Sequence, residues 1–81
     1  MQLTIYSKPG CHLCDEMKAL VRRVLEGREG VSFEEIDISH NSDLMELYEL
    51  EIPVLLIDGR KAAKYRISEA DLSRRLNREG T

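Results

Sequence analysis

The chain has 81 residues, 42% of them hydrophobic, enough for one domain spanning residues 1–81 and too few for two separately cored ones. Its formal net charge of −3 comes from interspersed acids and bases with no basic stripe, so nucleic-acid binding through phosphate neutralisation has nothing to rest on. No apolar run approaches the roughly 20 residues of a membrane span, and Met1 leads into Gln2-Leu3-Thr4-Ile5-Tyr6 without a basic segment and long apolar core, so neither a membrane protein nor an exported precursor is expected.

Leu3 and Ile5 alternate with Gln2, Thr4 and Tyr6, a short strand that ends where Ser7-Lys8-Pro9-Gly10 breaks the pattern. From Leu13 the apolar residues recur as Met17, Leu20, Val21, Val24 and Leu25, the spacing of one helix face, and Gly27 stops the helix. Val31 to Ile38 is β-branched and aromatic at alternating positions and predicts a second strand. Asn41 or Ser42 caps a short second helix through Leu44, Met45, Leu47 and Tyr48, whose apolar residues are expected in the core. Ile52-Pro53 then forces extended backbone, and Val54-Leu55-Leu56-Ile57 suits a strand covered on both faces. Asp58-Gly59 is a two-residue hairpin turn, with a fourth strand near Lys61 to Tyr65. Ser68-Glu69-Ala70-Asp71 reads as a capping box, with Ile67 and Leu72 as its hydrophobic staple, so a last helix runs to about Arg78. The order is β-α-β-α-β-β-α.

Chemistry concentrates in Cys11-His12-Leu13-Cys14. The two cysteines are too close in sequence to staple distant parts of a secreted scaffold, and in a cytoplasmic setting this spacing points to redox or metal chemistry. Disulfide exchange requires a thiolate that attacks and a second thiol that resolves the mixed disulfide. With Cys11 in the first turn of a helix, unpaired backbone N–H groups and the helix dipole favour its ionised form. Lys8 and a protonated His12 push the same way, while Cys14, one turn deeper, is expected to be shielded and to resolve. An intrachain zinc site is not expected, since the only further imidazoles are His12, inside the pair, and the distant His40.

The remaining polar residues have plainer readings. His40 is expected in solvent, and strand alternation splits Glu34, Glu35 and Asp37 between faces as a solvated edge. Arg22, Arg23, Arg28, Arg74, Arg75 and Arg78 sit on the polar sides of helices, where solvation explains them. Met17 and Met45 are expected as core filler.

Tyr6-Ser7-Lys8-Pro9-Gly10-Cys11-His12-Leu13-Cys14, Ile52-Pro53-Val54 and the Asp58-Gly59 hairpin together resemble the glutaredoxins of the thioredoxin superfamily, and more closely the small bacterial glutaredoxin-like proteins with a Cys-x-x-Cys motif. The resemblance spans nearly the whole chain. It implies an α/β thioredoxin-like fold, a four-stranded mixed sheet with helices on both faces. It also implies a cis peptide bond at Pro53, which faces the cysteines and leaves the backbone of Ile52 free to pair with an extended substrate. Lys8 stands where the family has a lysine that helps hold the glycine carboxylate of glutathione, and His12 is a further candidate for substrate contact.

Two departures bear on function. His12-Leu13 replaces the usual Pro-Tyr between the cysteines, and Ala63-Lys64-Tyr65-Arg66 replaces the Gly-Gly, Thr and Asp that hold the γ-glutamyl end of glutathione. The expectation is a monomeric, cytoplasmic thiol–disulfide oxidoreductase cycling through Cys11 and Cys14, with no bound cofactor. Its substrate is a disulfide-containing protein or a glutathione mixed disulfide. Glutathione or a thioredoxin-type reductase recharges it. Two other readings use the same residues: a docking module of the same fold with inert cysteines, and a protein holding zinc or an iron–sulfur cluster between two chains through Cys11 and Cys14.

Overall fold

A computed structural model describes residues 1–79; residues 80 and 81, counted in the single-domain expectation, lie outside the described residues. The elements are β1 (Gln2–Ser7), α1 (His12–Leu25), β2 (Ser32–Asp37), a 3-10 turn (Ile38–His40), α2 (Ser42–Tyr48), β3 (Val54–Ile57), β4 (Arg60–Lys64) and α3 (Glu69–Glu79). The strands form one mixed sheet in the order β2-β1-β3-β4. β1 runs parallel to β2 and antiparallel to β3, and β3 runs antiparallel to β4.

Alternation along β1 and β3 sends Leu3, Ile5, Leu55 and Ile57 to one face, where Met17 and Val21 of α1 and Leu72 and Leu76 of α3 cover them. This is the main core. The other face is covered more thinly: Tyr48 of α2 packs on Tyr6 of β1 with ring centroids 5.0 Å apart. Helices thus lie on both faces, and all four residues of β3 are buried, as the continuous apolar run requires.

α2 departs from expectation. No residue of it is fully buried, Met45 is only half-buried and Leu47 is 62% exposed, because a seven-residue helix offers the sheet little more than Tyr48. The capping residue is Asn41, whose side chain accepts from the Leu44 N–H at 3.0 Å. At the hairpin Asp58 and Gly59 both take positive φ, 49° and 82°, as the tight turn demands, and Asp58 Oδ1 accepts from the Gln2 N–H at 2.8 Å. β4 leaves its pairing one residue earlier than expected, since Tyr65 takes φ 69°, and a bulge opposite Leu55 and Leu56 leaves Ala62 without a register partner.

The charges are not interspersed once folded. No lysine or arginine lies between Glu29 and Glu51, the segment that forms β2 and α2; between Arg60 and Arg78 only Glu69 and Asp71 interrupt the bases. Because β2 and β4 are the two outer strands, the sheet carries acids on one flank and bases on the other.

Candidate active site

The parallel pairing of Ser7 with Asp37 and the antiparallel pairing of Tyr6 with Val54 bring three chain segments to one end of the sheet. They are the loop entering α1, the turn leaving β2, and Pro53. Gly10, at φ 77°, swings the chain into the helix, and Cys11 follows as the N-cap in extended conformation. A sulfur here takes the part that a serine or aspartate oxygen plays at other helix starts. The Cys14 N–H donates to Cys11 Sγ at 3.1 Å. Negative charge on that sulfur therefore meets a hydrogen-bond donor and the positive end of a 14-residue helix.

The two cysteines are joined as a disulfide, with Cα atoms 5.2 Å apart. Cys14 is buried at 1% exposure and Cys11 is half-buried, so an incoming sulfur reaches Cys11 first. Among the described residues no group of three or more His, Cys, Asp or Glu is arranged to hold a metal ion.

Pro53 is buried and its bond to Ile52 is cis. Its carbonyl accepts from the Tyr65 N–H at 2.8 Å, and the Tyr65 hydroxyl donates to the Leu50 carbonyl at 2.7 Å. These two bonds tie the loop before β3 to the loop after β4 and account for a bulky residue in the left-handed region, which costs roughly 1–2 kcal/mol in an unsupported chain. Ile52 itself is half-buried, and neither its N–H nor its C=O has a partner among the described residues.

Lys8 is half-buried and lines a polar pocket of about 220 Å³ beside the Cys11 loop, together with Ser7, Asp15, Lys18, Glu35 and Asp37. His12 is exposed on the first turn of α1, and His40, also in solvent, lies 3.8 Å from Asp37. Glu35, exposed on the outer strand β2 as expected, also anchors this pocket. It accepts from the buried Ser7 hydroxyl at 2.7 Å and pairs with Lys18 at 2.8 Å, while Lys18 also reaches Asp15 at 3.3 Å. The hydrogen bond from Lys18, then that from Ser7, holds the Glu35 carboxyl below its ordinary value, and Glu35 in turn raises the Lys18 ammonium. Asp37 is likewise lowered, first by the Ser39 hydroxyl and backbone, with Lys8 and His40 adding positive charge nearby. The signal for Lys18 was its position one turn after Cys14; the contact with Glu35 spans two elements and has no local signature.

Fold and site together define a thioredoxin-fold protein carrying a Cys-x-x-Cys pair of redox type. The model of the family "Glutaredoxin-like domain (DUF836)" matches residues 2–77, and the chain belongs to that family. It is 29% identical over 77 residues to a glutaredoxin-like protein of Dictyostelium discoideum, covering 89% of this chain and 71% of that one. Among solved structures, XcR50 from X. campestris superposes with a TM-score of 0.78 at 27% identity, covering 94% of this chain and 96% of that one. E. coli glutaredoxin superposes with a TM-score of 0.63 at 19% identity, covering 98% and 96% respectively, which shows the shared fold.

Proposed function

We propose that this protein is a thiol–disulfide oxidoreductase that reduces protein disulfides or glutathione mixed disulfides in the cytoplasm, as a monomer. The observation that carries the reading is the asymmetry of the pair: Cys11 is reachable and its sulfur accepts a helix N–H, while Cys14 is buried beside it. Cys11 thiolate attacks one sulfur of the substrate disulfide, and the other sulfur leaves as a thiolate that takes a proton. Cys14, deprotonated, then attacks Cys11 Sγ in the mixed disulfide and expels the second substrate thiol, leaving the Cys11–Cys14 disulfide. Two electrons restore the dithiol, either from two glutathione thiols that end as oxidised glutathione, or from a thioredoxin-type reductase.

An extended substrate pairs with the unpartnered backbone of Ile52 beside Pro53, a use of exposed main chain common in peptide recognition. Lys8, in the loop before Cys11, and the exposed His12 next to it in the chain are the further residues assigned to substrate contact. Tyr65 bears on the choice of substrate: it belongs to the Ala63-Lys64-Tyr65-Arg66 stretch that stands where the family has Gly-Gly, Thr and Asp, and side-chain bulk in that stretch favours protein disulfides over glutathione.

Incubation of Cys14→Ser with a disulfide-bonded peptide, followed by intact mass, tests the scheme. A stable adduct on Cys11 is expected, with no adduct on Cys11→Ser; a Cys11–Cys14 pair that forms no disulfide in any glutathione buffer would leave the docking or metal-binding reading in its place.

A further inference from the structure

The bulge at Ala62 turns two consecutive alanines, Ala62 and Ala63, toward α3 rather than to opposite faces of β4. Their small side chains and Ile67 leave a groove of about 330 Å³ between β4 and α3, walled by Arg66, Arg74, Arg75 and Arg78. One carboxylate, Asp71, also lines it and pairs with Arg74 at 3.1 Å. Arg66 and Ile67 also line a second groove, of about 200 Å³, that runs along Leu13, Glu16 and Met17 of the cysteine helix. Basic wall, apolar floor and cysteine helix therefore form one continuous track.

We propose that this track docks an acidic, extended segment of a partner protein and carries its disulfide toward Cys11. Arg66 and Arg75 bring planar donors matched to carboxylates into this groove, beside Arg74, which Asp71 already engages. The acidic flank formed by β2 and α2 repels the same segment at the far edge of the sheet, which orients the approach. A nucleic acid fits less well, since the track offers one aromatic ring, Tyr65, for stacking, and the chain is net negative. The docking half stands on the groove alone, while the delivery half rests on the oxidoreductase reading.

Fluorescence anisotropy of a labelled, cysteine-free peptide of alternating Glu and Ala tests docking against a Lys-Ala peptide and a single-stranded oligonucleotide of equal length. The acidic peptide should bind about tenfold more tightly than either, and lose that margin between roughly 0.02 M and roughly 0.5 M ionic strength. Arg66→Glu with Arg75→Glu should remove the margin, and Arg66→Lys with Arg75→Lys should keep most of it. Equal binding of the two peptides, or tighter binding of the oligonucleotide, overturns the proposal without reference to any variant's folding. Turnover is then read on mixed disulfides of acidic and neutral peptides. An acidic preference of about tenfold supports delivery, and equal turnover of both refutes it. Tight acidic binding with no turnover of either peptide keeps the docking site and removes the oxidoreductase.

Discussion

Cys11 and Cys14 are one helical turn apart and differ in exposure and in their place on the helix. Cys11 sits at the helix start with an N–H donating to its sulfur, and Cys14 lies in the core with 1% of its surface exposed. At neutral pH, iodoacetamide should modify Cys11 of the reduced protein before Cys14, an order that peptide mapping by mass spectrometry reads directly. Glu35 provides a second test. A carboxyl held below its ordinary 4.5 stabilises the fold above its unfolded value and loses that contribution as pH falls through its folded value. Lys18, raised above 10.5, contributes below its unfolded value and loses its share as pH climbs through the folded one. Glu35→Gln should therefore flatten both limbs of a plot of Tm against pH, below about pH 5 and above about pH 10. An unchanged acid limb would mean that the Lys18 and Ser7 contacts do not persist in solution.

The helices are held by unequal means. α1 and α3 bury Met17, Val21, Leu72 and Leu76 against the sheet, and α3 has the Ser68 hydroxyl accepting from the Asp71 N–H at 3.0 Å. α2 has a cap and one stacked tyrosine. A helix of seven residues without packing is short of the roughly 12–15 that sustain an isolated helix, so tertiary contact must hold it. Native-state hydrogen exchange should show the amides of α2 opening well before those of α1 and α3. Equal protection would place more of its stability in the Tyr6–Tyr48 contact than the geometry indicates.

One face of the sheet carries most of the stability. Leu72 is fully buried between α3 and the strands, and Leu72→Ala should cost about 2–5 kcal/mol in denaturant unfolding. Leu47→Ala, on the exposed side of α2, should stay within about 0.5 kcal/mol. The thinly covered face leaves Leu47 and Leu50 in solvent, while the Tyr65 hydrogen bonds to the Leu50 and Pro53 carbonyls hold the loop before β3.

Element order, the buried β3, the hairpin turn and the cysteine pair were legible in the residues, because alternation, helical spacing and turn chemistry are local and leave local signatures. Asn41 and Ser68 announce their helices for the same reason. The partial exposure of α2 was not legible: Leu44, Met45 and Leu47 have core-like spacing, and only the packed sheet shows that Leu44 and Met45 are half-buried and Leu47 lies in solvent. Glu35 is the exposed edge carboxylate that alternation suggests, but its partners were not legible, since only the parallel register of β1 and β2 sets it beside Ser7 and within reach of Lys18. The acidic and basic stretches are visible in the sequence, but only the strand order carries β2 and β4 to opposite flanks, and only the fold shows the groove that the bulge at Ala62 opens beside Arg66 and the arginines of α3. Each of these depends on how separate elements pack, which no local pattern encodes, whereas the sulfur chemistry needs two residues on one turn of helix and is written in four consecutive letters.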